Sequence, residues 1–183
     1  MKLNYNIISQ KFGKYTDQFI EMMSWAMPPE FFVRNQQWIE NNFKIDPYDF
    51  FVHADQAPKI HTPDRLELEL ISIRKHNNYI YQGQVLVNSQ NFHGFGRILQ
   101  YQDGKDSGNA YVYEGWFING LPQGWGRKIC QDGTVYLGQF RFGLENGKGI
   151  KVTKSIDTDN ESEIQEKRQD GQFAYGIYAS TIS

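Results

Sequence analysis

The side chains that most often perform chemistry in proteins are few in this sequence, and their spacing favours no reaction. The histidines are His53, His61, His76 and His93. No two of them stand three or four residues apart, the spacing that would place a pair of metal ligands on one helix turn. Cys130 is the single cysteine and has no histidine near it, so we expect an ordinary strand cysteine rather than a nucleophile. The sequence therefore predicts no metal site and no covalent catalysis.

Two other patterns resemble catalytic motifs only in outline. Glu67 and Glu69 fall on one face of a predicted strand, as paired carboxylates for acid–base catalysis would. They alternate with leucines, however, which is typical of the solvated side of a half-buried strand. The segment Gly94–Gly96 and its relatives lack the Lys-Ser/Thr and the following helix of a phosphate-binding loop. We predict a protein that is not an enzyme and has no cofactor.

Composition limits the partners. The 183 residues include 19 basic and 21 acidic side chains, a net charge of −2, which speaks against a nucleic-acid partner. Aromatic residues reach 15%, so the chain is expected to fold around rings. No apolar run approaches the ~18 residues of a transmembrane helix, which leaves at most a peripheral membrane contact. No targeting segment is recognised, so a cytoplasmic or cytoskeletal location, a cilium included, is expected; the alternative is a mitochondrion or another organelle.

The elements that position the remaining side chains are marked by glycine. Fourteen of the 17 glycines lie between Gly83 and Gly149. Nine of them form three copies of one combination, a Tyr-x-Gly followed by a Gly-x-Gly. From the second copy to the third both motifs advance by 23 residues, which indicates a repeat array. Even spacing of Tyr, Gly and Phe places them on one strand face, and Asp-Gly or Asn-Asn between the extended runs is typical of a tight hairpin turn.

The full unit resembles the MORN repeat, Tyr-x-Gly-x-Phe-x-x-Gly-x-x-His-Gly-x-Gly followed by an Asp-Gly turn. Copies two and three match it closely, copy one has Val85 in place of the Phe, and a partial fourth copy is read at Asp170–Gly176. The resemblance covers residues 66–176. The structural positions that it marks are Tyr81, Gly83, Gly94, Gly96, Tyr113, Gly115, Phe117, Gly124, Gly126, Tyr136, Gly138, Phe140, Gly147 and Gly149.

The resemblance implies a mainly β fold: an elongated, twisted antiparallel sheet of stacked hairpins. Within the array, residues 154–169 are an insert that we expect to form an exposed loop or a short surface helix. Residues 177–183 are expected to be a C-terminal tail. Residues 1–65 read as a short helical and irregular appendage, with helices predicted from about residue 17 to 27 and from 29 to 43. This segment either packs on the first strands or docks on a partner.

MORN repeats occur beside kinase and methyltransferase domains, or alone in scaffold proteins. The 65 residues before the array cannot hold such a catalytic domain. The resemblance therefore implies a non-catalytic scaffold or accessory subunit that contacts other proteins of a larger assembly. The alternative is a phospholipid-binding or membrane-tethering module, which would need a cluster of basic residues. The basic residues available in and around the repeats are Arg97, Arg127, Lys128, Arg141, Lys148, Lys151 and Lys154.

Strand alternation also suggests a surface for a protein partner. The face opposite the Tyr-Gly-Phe positions carries aromatic residues edged by arginines: Phe95, Arg97, Trp116, Trp125 and Arg127. Trp and Arg are enriched at interface hot spots, so we predict that this row contacts a partner. The alternative is that the N-terminal helices already cover the row and make it part of the core.

Overall fold

The computed structural model describes residues 17, 19–21, 36, 68–101, 110–156 and 164–181. From residue 68 onwards the described chain forms one antiparallel sheet of nine strands, which pair in sequence order. The strands are β1 (Leu68–His76), β2 (Tyr79–Leu86), β3 (Phe92–Gln100), β4 (Tyr111–Ile118), β5 (Leu121–Cys130), β6 (Val135–Arg141), β7 (Leu144–Ile156), β8 (Ile164–Ala174) and β9 (Ile177–Thr181). The prediction of a mainly β fold with an antiparallel sheet is confirmed.

Because consecutive strands are antiparallel neighbours, alternate turns lie at the same end of the sheet. We call upper the end that holds the turns β2/β3, β4/β5, β6/β7 and β8/β9. Three of these are two-residue turns, at Asn119–Gly120, Phe142–Gly143 and Tyr175–Gly176. Both residues of each turn have positive φ, between 50° and 87°, as a type I′ hairpin turn requires. The lower end holds the polar turns Asn77–Asn78 and Gln131–Thr134.

A continuous row of glycines crosses the sheet from β2 to β8. Each glycine of this row pairs directly with the next one in the neighbouring strand. The row consists of Gly83, Gly96, Gly115, Gly126, Gly138, Gly149 and Gly171. We call stack face the side of the sheet that carries Tyr81, Tyr113 and Tyr136. The opposite side, which carries Arg97, Glu114 and Arg127, is the charged face. The sheet register therefore follows the Tyr-x-Gly and Gly-x-Gly motifs.

The first glycine of each Gly-x-Gly has a different role from the second. Between the pairs Gly83–Gly96 and Val85–Phe92, β2 advances two residues while β3 advances four, so β3 carries a bulge. The same irregularity recurs in β5 and β7. The bulge residues Gly94, Gly124 and Gly147 have φ of 86°, 71° and 108°. Such backbone is unfavourable for a residue with a Cβ, which explains why glycine recurs at this position.

In the partial fourth copy, the sequence pattern puts Asp170–Gly171 at the position of the Asp-Gly turn, but the structure has a different frame. Gly171 does not occupy a turn; it pairs with Gly149 in the glycine row, and Gly176 is the turn glycine at φ 85°. Residues 177–181, expected as a tail, form strand β9 and pair with β8. The ring that covers Gly171 comes from β9, because Tyr178 Cε2 lies 2.8 Å from the position of a Cβ on that glycine. The sheet thus continues past residue 176.

All of the described part of the predicted insert is strand, so the expected loop or short surface helix is wrong for these residues. β7 runs on to Ile156 and β8 starts at Ile164, and their ladder extends to the pair Ile156–Ile164. Residues 157–163, between these strands, lie outside the described residues. The exposed pair Lys154 Nζ and Glu166 Oε1, 3.1 Å apart, shows why mixed charge is compatible with strand here: both side chains reach solvent from a two-stranded extension.

Within residues 1–65, the structure describes residues 17, 19–21 and 36, and all are helical. They fall inside the two predicted helices, whose remaining residues lie outside the described part. Phe19 is fully buried. Its ring centroid lies 5.6 Å from the Arg97 guanidinium carbon of β3, so this helical residue packs on the charged face.

Candidate functional site

The tyrosines of the three Tyr-x-Gly motifs lie flat along their own strands, over the glycine row. A Cβ on Gly126 would lie 2.5 Å from Tyr113 Cε2, and one on Gly149 would lie 2.6 Å from Tyr136 Cζ. The Tyr113 hydroxyl donates to the Trp116 carbonyl at 2.9 Å. This carbonyl belongs to the residue opposite the bulge of β5, where the ladder is interrupted. The tyrosine therefore fills the space above two glycines and supplies a hydrogen bond where the ladder provides none.

The equivalent hydroxyls behave in the same way. Tyr81 donates to the Gln84 carbonyl at 2.7 Å, and Tyr136 donates to the Gln139 carbonyl at 3.0 Å. Burial raises the pKa of both hydroxyls, because a phenolate would lose its hydration. These groups remain protonated donors at neutral pH, which is a structural role.

Phenylalanines join the tyrosines into one continuous stack. Tyr113 makes edge contacts with Phe117 at 5.1 Å and with Phe140 at 4.8 Å between ring centroids. Tyr136 continues the series with Phe140 and Phe173, at 5.2 and 4.9 Å. Edge-to-face geometry of this kind adds to the stabilisation that burial alone provides. The fourteen predicted structural positions lie along this stack or in the β-strand backbone beneath it.

Two glutamine side chains that accept hydrogen bonds from the backbone at the bulges were not predicted from the sequence. Gln84 Oε1 accepts a hydrogen bond from the Phe95 amide, and Gln139 Oε1 accepts one from the Lys148 amide, both at 2.9 Å. In copy two the corresponding residue is Trp116, so the contact does not repeat there. The detectable signal was a glutamine one residue after Tyr-x-Gly in two copies.

The charged face holds an ion cluster at its centre. Glu114 of β4 pairs in register with Arg97 of β3 and with Arg127 of β5. Glu114 Oε2 accepts bonds from Arg127 Nε at 3.1 Å and from its terminal nitrogen at 2.8 Å, and Glu114 Oε1 lies 3.9 Å from Arg97 Nε. All three side chains are buried. Burial lowers the pKa of Arg97, and the Glu114 carboxylate opposes that shift.

The predicted partner-binding row is therefore not a free surface. Phe95, Arg97, Trp116 and Arg127 are buried within the chain, and Trp125 is half-buried. The Phe95 and Trp116 rings contact each other at a centroid distance of 4.0 Å. Phe19 lies against Arg97, in line with the alternative that the N-terminal helical segment covers this face. Strand alternation assigns a side chain to a face but does not tell whether that face is covered, and for this reason the sequence left both an interface and a covered core open.

The titratable groups of the described residues form no reactive arrangement. No three His, Cys, Asp or Glu side chains among them come together in a way that could hold a metal ion. Burial raises the pKa of the Cys130 thiol, so less of it is in the reactive thiolate form at neutral pH. Burial lowers the pKa of His93, whose Nδ1 accepts a long hydrogen bond, 3.4 Å, from the Asn119 amide. His93 thus acts as a neutral contact between β3 and an upper turn.

The exposed apolar side chains are concentrated at the upper end. Within the described ranges, every large hydrophobic residue that is exposed lies in or beside an upper turn. We call this set the turn row: Val87, Leu121, Phe142, Leu144, Tyr175 and Ile177. The most exposed members are Phe142 at 67%, Tyr175 at 69% and Ile177 at 72%. None of these residues was predicted as a site from the sequence; the signal for two of them is an aromatic residue, Phe142 or Tyr175, at the position that Asn119 occupies in the equivalent turn.

Hydrogen bonds between hairpins hold the upper turns in line. The Gly120 amide donates to the Phe92 carbonyl at 2.8 Å, the Gly143 amide to the Pro122 carbonyl at 2.9 Å, and the Gly176 amide to the Glu145 carbonyl at 2.8 Å. Each bond joins one turn to the start of the strand that follows the preceding turn. Neighbouring strands are about 4.8 Å apart, so successive upper turns follow each other at about 10 Å.

No protein-family model matches the chain, and comparison with curated proteins finds no match either. Within the described residues, no helix has both the length and the apolar composition that crossing a membrane requires.

Proposed function

We propose that the chain is a non-catalytic, MORN-type scaffold or accessory subunit that binds another protein through the upper end of its sheet. The observation that carries this proposal is the turn row. Exposed apolar patches on folded proteins mark interaction sites when their members are contiguous. Here the apolar members follow one another along hydrogen-bonded turns, while the two described lower turns, Asn77–Asn78 and Gln131–Thr134, are polar. The Tyr-Gly-Phe stack supplies the rigid support.

The lipid-binding alternative has less support from the charges. It needs several free basic side chains near one surface. Arg97 and Arg127 are buried against Glu114. Lys128 and Lys151 face Glu145 at 3.7 and 2.9 Å, and Lys154 pairs with Glu166. Arg141 and Lys148 are the two of the seven for which the structure gives no acidic neighbour among the described residues.

Purification of the tagged full chain from its native cells tests the proposal. We expect at least one other protein to co-elute with it in a fixed stoichiometry. Elution of the chain alone would contradict the proposal. Flotation with phosphatidylcholine vesicles containing phosphatidylserine tests the alternative in parallel. Vesicle binding that high salt abolishes, without a co-eluting protein, would favour the lipid-binding function.

A further inference from the structure

Two residues of the turn row are held in a backbone conformation that their side chains disfavour. Phe142 has φ of 50° and Tyr175 has φ of 51°. Left-handed backbone suits glycine and is tolerated by asparagine, whereas a bulky residue there is an outlier. The equivalent turn residue Asn119 has the same φ of 50° and the residue type that fits it. Strain of this kind persists where the surrounding structure enforces it, and it points to a function for the residue.

The fold itself does not explain these two rings. Phe142 is 67% exposed and Tyr175 is 69% exposed. The Phe142 ring centroid lies 5.5 Å from the Arg141 guanidinium carbon. The Phe142 backbone amide donates a hydrogen bond to Gln123 Oε1, but any residue other than proline could make this bond. The Tyr175 hydroxyl makes no hydrogen bond to the part of the chain that the structure describes. Both rings are presented to solvent on strained turns.

The exposed charge next to the upper turns is positive. Arg141 is exposed directly before the β6/β7 turn, and Lys148 is exposed five residues beyond Gly143. Glu145 is the one acidic residue in the described upper turns and the two residues on either side of each; it is buried and already faces Lys128 and Lys151. A ligand of this end would therefore meet apolar rings and positive charge, with no exposed carboxylate among those residues to repel an acidic group.

We infer that the turn row binds an apolar protein segment that carries carboxylates, with Phe142 and Tyr175 as anchors and Arg141 as the partner of a carboxylate. This inference rests on the proposed function and names the chemistry of the partner. Aromatic residues and arginine are enriched at protein interfaces, while lysine and acidic residues are depleted. The basic side chains that the structure describes at the upper end, Arg74, Arg141 and Lys148, are fewer than the about 4–8 of a typical anionic-membrane site, which favours a protein segment as the occupant.

The experiment uses the full chain and a random dodecapeptide library displayed on phage. We expect the selected peptides to combine at least two apolar or aromatic residues with at least one Asp or Glu. The decisive variant is the double substitution Phe142→Asn and Tyr175→Asn, which copies the natural Asn119–Gly120 turn. It should weaken the binding of the selected peptides at least about tenfold while leaving the melting temperature unchanged or higher. Arg141→Ala should weaken acidic peptides about tenfold and reduce the salt dependence of their binding.

Asp132→Asn is the matched control, because it changes an exposed turn residue at the lower end and should leave peptide affinity unchanged. The inference is overturned if the library gives no binder, if the binders lack carboxylates, or if the double variant binds them as the wild type does. A double variant that melts at a clearly lower temperature would also overturn it, since the rings would then serve the fold. In each of these cases a protein that co-elutes from native cells still supports the proposed function, so the two failures are distinguishable.

Discussion

On the stack face, the hairpins β2–β3, β4–β5 and β6–β7 repeat one contact, a tyrosine over two glycines, whereas on the charged face neighbouring hairpins carry different side chains. The central row of the charged face reads Gln82, Arg97, Glu114, Arg127, Leu137 and Ile150 across successive strands. The stack face is thus a series of similar local contacts. Among the described residues, the charged face has one buried ion cluster, Arg97–Glu114–Arg127, and the other hairpins do not repeat it. Equivalent substitutions on the stack face should therefore cost similar amounts of stability from repeat to repeat. On the charged face, the loss of stability should depend on which residue is replaced.

The largest loss of stability is expected when the central carboxylate of the charged face, that of Glu114, is removed. Glu114→Gln leaves Arg97 and Arg127 buried without its charge, and breaking such a buried pair typically costs about 3–5 kcal/mol. Chemical denaturation would measure the free energy of unfolding. Glu166→Gln is the matched control, because the Lys154–Glu166 pair is exposed and should contribute about 0–1 kcal/mol. Equal losses of unfolding free energy in the two variants would show that the buried cluster does not stabilise the protein more than an exposed ion pair does.

The next effect tests the glycine row beneath the stack. Gly126→Ala places a Cβ 2.5 Å from Tyr113 Cε2, so the ring must move, and we expect a loss of about 3 kcal/mol. Gly126→Val should cost more and lower the melting temperature clearly. Gly120→Asn is the control: no atom lies within 4 Å of its Cβ position, and asparagine tolerates its φ of 87°. An unchanged melting curve for Gly126→Ala would refute the role of the tyrosine–glycine contact.

A smaller effect tests whether the repeats are equivalent. Tyr113→Phe and Tyr136→Phe each keep the ring but remove the hydroxyl that donates to a strand carbonyl. Each should cost about 1 kcal/mol, the usual net value of a hydrogen bond. Thermal unfolding of the two variants would compare them directly. If one substitution is neutral and the other costly, the stack face is less regular than its geometry indicates.

The smallest effect concerns pH. Because burial lowers the pKa of His93 in the folded state, the unfolded chain binds a proton more readily than the folded chain. The stability that neutral His93 contributes is therefore complete above its unfolded pKa of about 6.5 and is lost as the pH falls towards the folded pKa. His93→Asn keeps an acceptor for the Asn119 amide without titrating. The difference in unfolding free energy between wild type and variant should change below about pH 6.5; a constant difference would contradict this.

Sequence reasoning predicted the stack face well because its information is local. Tyr113, Gly115 and Phe117 lie within five residues of one strand, and their alternation places them on one face. The fourth repeat was misread because its covering ring, Tyr178, comes from the neighbouring strand β9 rather than from β8. A motif search along one strand cannot find a ring supplied by another. The glycine pair Gly149–Gly171 became visible only from the register of the ladder.

The sequence by itself determined where the hairpins turn and which side of each strand carries rings, because glycine position and side-chain alternation act within a few residues. Only the tertiary structure decided which face is covered. Whether Phe95 and Trp116 form an interface or a core depends on segments far away in the chain, such as the helix that holds Phe19. It also decided that Leu121, Phe142 and Tyr175 form one exposed row, because their turns become neighbours only when the strands pair in order.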